Sequence, residues 1–329
     1  MSPTDTPASP RAALKKLVRA SVPLTCVGYL VLDALDGLRL ALGRVGTESG
    51  TTHATIPVEE SVRYIEHVAE SYAAAVGRAR FEGTVAEIGP GDNLGVGLLL
   101  LARGAAEVHA IDRFRSERDE TVQTPIYRAL AEKHDLARLF DGAPAERNIR
   151  GVKYVYGVAA EDYFASLPPT YSAILSTAVM EHLLDPIRGL DGMMRALVPG
   201  GVLVHQIDLR DHGMFAGRHP LTFLTVPRAI FRRMVANSGR PNRVLLHRYK
   251  AWAAAAKIDC RFLVTNLAGR EDGLGAPIPW DEIDPGLRAT ALETVRAMRP
   301  HLAREFAPVA DADLAVSGFM MIASKPRAA

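Results

Sequence analysis

Cysteine is almost missing from this chain: its 329 residues carry only Cys26 and Cys260, far apart. Two isolated thiols make neither a disulfide framework nor a structural zinc site, and they suggest a cytoplasmic protein. A long apolar run is missing as well. Residues 20–32 are uncharged, but a membrane-spanning helix needs about twenty such residues, and Asp33 and Asp36 follow at once. No small-x-small cleavage site follows either. The apolar spacing continues helically through Leu35, Leu38 and Leu42, which argues against a signal peptide. Nor does one sign of charge dominate, because the formal net charge is only +2.

What is present fits a globular protein. Hydrophobic residues make up 48% and charged residues 23%, enough for a sizeable core without staples. The length allows one large domain or two small ones. The first ten residues, rich in Ser, Thr and Pro, read as a tail. Residues 11–19 form a basic stretch with Lys15 and Lys16. It leads into an apolar helix that either packs on the main domain or touches a membrane surface peripherally. A second helix starts near Thr55 and Pro57, with Glu59 and Glu60 in its first turn. Its stripe of Val58, Val62, Ile65, Ala69, Tyr72 and Val76 marks a buried face, and the helix could cover a ligand mouth.

The most informative stretch runs from Val85 to Asp112. A short apolar strand over residues 84–88 ends in the turn Gly89-Pro90-Gly91, and a helix follows over 95–103. Glycines there let the backbone turn sharply and approach a ligand closely. The helix directs its free N–H groups at the same ligand. A second strand ends on Asp112, about twenty residues beyond the glycines, where a ribose-binding carboxylate falls in a nucleotide-binding βαβ unit. The spacing departs from the dinucleotide pattern, since Asp92, Asn93 and Leu94 follow the second glycine. An acid beside Gly91 would repel a pyrophosphate but suits an ammonium or a sulfonium.

The segment Glu87-Ile-Gly-Pro-Gly-Asp-Asn resembles motif I of the class I S-adenosylmethionine-dependent methyltransferases. Further segments carry the resemblance as far as Asp208. They are Gly157-Val-Ala-Ala-Glu-Asp162, the pair Glu181-His182, and Leu197-Val-Pro-Gly-Gly before a strand. The resemblance implies an α/β, Rossmann-like, seven-stranded doubly wound sheet with its last strand antiparallel. It also implies S-adenosylmethionine as cofactor and a small-molecule acceptor. The cofactor-binding candidates are Glu87, Gly89, Gly91, Asn93, Asp112, Ala160, Glu161 and Ser176. Residues 1–79 would be a tail and N-terminal helical cap, and 80–329 the methyltransferase domain. A helical insertion at 209–258, between strands five and six, would serve as a lid or substrate element.

The insertion gathers positive charge, with nine Arg or Lys from Arg210 to Lys250 and Asp211 as the single acid between Leu209 and Lys250. That favours an anionic acceptor or surface nearby, with Arg210, His219 and Arg243 as acceptor contacts. In this fold the acceptor lies over the carboxyl ends of the strands. His205, Asp208, Asp211 and His212 after strand five are therefore the catalytic candidates, with His212 taking a proton and Asp208 holding a hydroxyl. Turn chemistry, with an aspartate capping the next helix, is the competing account of that segment. No metal is expected, because the spacing matches no ligand motif.

The favoured activity is O-methylation of a sugar, glycolipid or natural-product hydroxyl. RNA or DNA methylation and N-methylation of a small molecule are the alternatives. Strand four ends Ser176-Thr-Ala-Val, unlike the Asn/Asp-Pro-Pro-aromatic motif of base-amine methylation, so no nucleic-acid partner is expected. A degenerate, non-catalytic relative is disfavoured by the intact glycines and Asp112. The expected location is cytoplasmic, with peripheral membrane contact as an addition.

Overall fold

The computed structural model describes residues 21–42, 46–47, 51–77 and 80–327. The expected tail and basic stretch before Ser21 lie outside them. Seven strands form one sheet: β1 Thr84–Ile88, β2 Glu107–Asp112, β3 Val152–Tyr156, β4 Tyr171–Thr177, β5 Leu197–Asp208, β6 Asp259–Leu267 and β7 Val316–Ser324. Their order is β3-β2-β1-β4-β5-β7-β6. The first five are parallel, and β7 runs antiparallel to β5 and β6. The chain builds outward through β2 and β3, then crosses to β4, so the order reverses between β1 and β4. A crevice opens at the carboxyl ends there.

Helices cover both faces. On one side lie α2 Val58–Val76, α3 Gly95–Ala102 and α4 Glu120–His134, sharing a core with Val85, Val108 and Val204. On α2 the predicted stripe buries Val62, Ile65, Ala69 and Tyr72, joined by Val68 and Ala75, while Val58 and Val76 sit at the margin. Val62, Ile65 and Val68 each contribute ~1.5–3 kcal/mol by their burial. Glu59 and Glu60 complement the positive end of α2, and Gly77 closes it in the left-handed region at φ 62°.

On the other side lie α5 Ala160–Tyr163, α6 Pro186–Ala196, α7 Arg228–Met234, α8 Leu246–Ala255, α9 Pro285–Met298 and α10 Asp311–Ala315. Helix α1, Val22–Ala41, packs on α7, and Ser21 caps it through a bond from the Leu24 N–H.

The insertion is not all lid, because α8 buries Leu246, Tyr249, Trp252 and Ala253 in the core. The Trp252 indole also donates to Asp191 at 2.8 Å. Ser238 and Gly239 of the stretch before α8 line the crevice at the strand ends. The connection between β6 and β7 carries α9 and α10 and buries Ala291, Val295 and Leu314.

Candidate active site

The crevice at the strand reversal is lined by Gly89, Gly91, Asp112, Phe114, Ala160, Glu161, Ala178, Val179, His182, Leu183, Leu184, Ser238 and Gly239, among others. Gly89 and Gly91 hold φ of 69° and 68°, conformations that a side chain strains. A Cβ on Gly89 would also collide with the Val179 side chain. Ala178 adopts a left-handed φ of 54° at the end of β4, a strain tolerated where function fixes the backbone.

Two carboxyls lie deep on this side. Glu87 is 4% exposed and its Oε2 has no partner among the described residues. Burial pushes its pKa up to about 8, only partly offset by Arg118. Asp112 is raised to about 6 by burial, against the N–H of Phe114, which donates to it at 3.2 Å, and Arg118. Glu87, buried and short of a donor, and Asp112, half-buried in the crevice wall, are groups that a ligand's positive charge or hydroxyls would satisfy.

Other predicted cofactor residues turn elsewhere. Asn93 accepts from the Gly95 N–H at 2.6 Å and donates to Gln123 at 2.7 Å, so it pins the start of α3 to α4. Asp92 is spent on the N–H groups of His53 and Ala54 at 3.4 and 3.0 Å. It ties the segment before α2 over the glycine turn and offers no carboxylate to a cation. Ser176 is fully buried and shares a 2.7 Å hydrogen bond with His205 Nδ1. Ala160 and Glu161 do line the crevice, and Glu161 also accepts from the Asp185 N–H at 3.0 Å.

The end of β5 and the turn after it separate in the same way. His205 lies wholly inside, its pKa lowered to about 3 by burial, and cannot reach an acceptor. Asp211 accepts the N–H groups of Gly213 and Phe215 at 2.9 and 2.8 Å, which is turn chemistry and no base. Asp208 is held well below the usual carboxylate range. Burial raises it, but bonds from His212 and Arg210 outweigh that. His212 Nε2 sits 3.4 Å from Asp208 Oδ2, on a residue with φ 48°.

His182 completes the group. Its Nδ1 donates to the Gly239 carbonyl at 2.7 Å, which leaves Nε2 as the acceptor. Burial first, then His212, lowers it to about 4, so it is neutral at pH 7. The His182 and His212 rings meet edge to face with centroids 5.0 Å apart. Glu181, His182 and His212 place donor atoms within 4.8 Å of one another, the one such set among the described residues. Burial, with Asp208 nearby, raises the Glu181 carboxyl far above its normal range.

The predicted acceptor residues lie outside this group. Arg210 is doubly bonded to Asp208 and faces a second cleft beside Leu221 and Leu245. His219 Nδ1 accepts from the Leu221 N–H at 3.2 Å within a turn. Arg243 donates to the carbonyls of Phe223 and Val226 at 3.0 and 2.6 Å and pairs with Glu305 at 2.8 Å. It also lies against the rings of Phe231 and Phe306. These contacts bolt the insertion together around Arg243.

Several participants went unread in the sequence. Arg118 donates to the Gly91 carbonyl at 3.0 Å and to Glu146 at 2.8 Å, and stacks on Tyr154. His53 and Tyr64 pack edge to face above the turn, and Ser238 and Gly239 wall the crevice. Nothing in local spacing points to these residues, since each reaches the site through contacts distant in sequence.

A methyltransferase domain model matches residues 63–263, well over half of the chain, and the chain belongs to that family. It is a class I S-adenosylmethionine-dependent methyltransferase. A comparison with the curated proteins finds no match.

Solved structures of similar fold include three methyltransferases. One, from Galdieria sulphuraria, is assigned as a sarcosine dimethylglycine methyltransferase; it is 14% identical over 82% of this chain and 87% of that one, with a TM-score of 0.42. Phosphoethanolamine N-methyltransferase 2 of Haemonchus contortus, in complex with S-adenosyl-L-methionine, is 15% identical over 85% of this chain and 59% of that one, with a TM-score of 0.42. N-methyltransferase NodS of Bradyrhizobium japonicum, in complex with S-adenosyl-L-homocysteine, is 12% identical over 83% and 90%, with a TM-score of 0.37.

Proposed function

We propose that this methyltransferase acts on a small-molecule hydroxyl, with His212 as the proton acceptor and Asp208 as its positioning partner. The carrying observation is the 3.4 Å approach of His212 to Asp208, beside the crevice residue His182. The glycine turn, Glu87 and Asp112 would hold S-adenosylmethionine, with Asp112 meeting the ribose hydroxyls. When bound, the cofactor supplies an electrophilic methyl group carried on sulfur.

An amine acceptor can attack through its own lone pair, whereas a hydroxyl must lose its proton as it attacks. His212 takes that proton on Nδ1, the ring nitrogen that Asp208 does not face, and the Asp208 carboxylate beside Nε2 stabilises the imidazolium that results. His182, neutral and fixed by Gly239, is too weak a base to keep a proton, so it orients the acceptor. Leu183, Leu184 and Val179 exclude water from the crevice.

The reading is tested with methyl-13C-labelled cofactor and a panel of sugar, glycolipid and phenolic hydroxyls alongside primary amines. An O-methyl carbon signal that disappears in His212→Gln supports it. N-methyl products alone would overturn it.

A further inference from the structure

Helix α1 presents its apolar residues to solvent. Leu24, Val27, Val31, Leu35, Leu38 and Leu42 recur at three-and-four spacing and are 45–67% exposed. They form one stripe along a helix about 30 Å long. The other face is already satisfied. Thr25, Cys26 and Asp33 are buried, and Val22, Tyr29 and Leu30 pack on the core. An exposed apolar stripe of this length on a soluble protein marks an interaction surface. No described helix is long and apolar enough to cross a membrane, so the stripe would lie on its partner.

Charge identifies the partner. Helix α7, against which α1 packs, exposes Ile230 together with Arg228, Arg232 and Arg233, and none of these arginines pairs with an acid among the described residues. Arg11, Lys15, Lys16 and Arg19 precede α1 in the sequence. The two acids of α1 are both engaged. Asp33 is buried, and Asp36 pairs with Arg39 at 3.2 Å and Arg240 at 3.5 Å. The surface is therefore apolar and cationic, which complements an anionic lipid bilayer.

The same helix reaches the active site. Asp33 accepts the N–H groups of Asn237 and Ser238, both at 3.0 Å, and the Asn237 amide at 2.9 Å. Ser238 and Gly239 wall the crevice, and the Gly239 carbonyl fixes His182. Leu184, another wall residue, is 55% exposed.

We propose that α1 is an interfacial anchor seating the enzyme on an anionic bilayer, with the crevice mouth close to the lipid. An acceptor that is itself membrane-borne follows if the hydroxyl-methylation reading holds; the anchor does not depend on it.

The test is co-sedimentation of the full chain with phosphatidylglycerol–phosphatidylcholine vesicles and with pure phosphatidylcholine vesicles. Wild type should bind the anionic vesicles and lose binding in high salt. Val27→Ser/Val31→Ser/Leu35→Ser should partition about tenfold or more weakly, and Arg232→Glu/Arg233→Glu should also weaken binding. Cofactor calorimetry and thermal unfolding should stay unchanged in both variants, because the replaced side chains are exposed. Vesicle binding that is absent in wild type, or equal in the α1 variant, overturns the proposal. So does a dimer in analytical ultracentrifugation that the α1 variant abolishes, since the stripe would then belong to a second copy.

Discussion

His212 and Asp208 stand four residues apart in sequence and 3.4 Å apart in space, because His212 adopts a left-handed φ of 48° just beyond β5. An imidazole in an extended continuation would point away from the acid at the strand end. The turn, fixed by Asp211 binding the Gly213 and Phe215 amides, aims it back. Replacing His212 with Gln should therefore lower turnover on a hydroxyl acceptor by about 10²-fold or more while cofactor affinity stays unchanged. Asp208→Asn should reproduce a smaller part of that loss. Wild-type turnover across the pH range in both variants would assign the pair a structural role.

Arg243 should behave as a stabilising residue. Arg243→Ala removes two bonds to carbonyls and leaves Glu305 without its partner. Thermal or urea unfolding should show a loss of about 2–3 kcal/mol, typical of charged hydrogen bonds. The Michaelis constant for the acceptor should be nearly unaffected at a temperature where the variant is folded. A selective rise in that constant for anionic acceptors would return Arg243 to the binding surface.

Cofactor binding should release protons. Burial holds Asp112 at about 6 and Glu87 at about 8 in the ligand-free protein. Ribose hydroxyls and a positively charged ligand both favour the carboxylate, so binding lowers each pKa and the displaced protons leave. Affinity should therefore fall as pH drops through about 6 and level off above 8. Calorimetry in two buffers of different ionisation enthalpy measures the proton count directly. Proton uptake between pH 6 and 8 would contradict this assignment.

The sheet was legible because its strands are short apolar runs closed by glycine, as at Ile88, or by an acid, as at Asp112. Residues 84–88 form a strand over the predicted span. Strand β5 begins five residues earlier than expected, at Leu197, because Pro199-Gly-Gly resembles a turn yet stays within the strand. Side-chain direction was the illegible part. Asn93, Ser176 and His205 have suitable chemistry at suitable positions, but each points into the core. Arg243 was assigned to the acceptor because the eight other basic residues of the insertion were visible and Glu305, sixty-two positions on, was not. The exposed face of α1 could not be separated from a buried one by spacing alone, since both repeat every three or four residues.

The account stands most directly on Asp112 as the ribose-binding acid of the crevice, and calorimetric titration of S-adenosylmethionine against wild type and Asp112→Ala measures that. The predicted result is a loss of about 1–3 kcal/mol in binding free energy with thermal unfolding little changed. Unchanged affinity in Asp112→Ala, or tighter binding of a nicotinamide dinucleotide by the wild type, would contradict it.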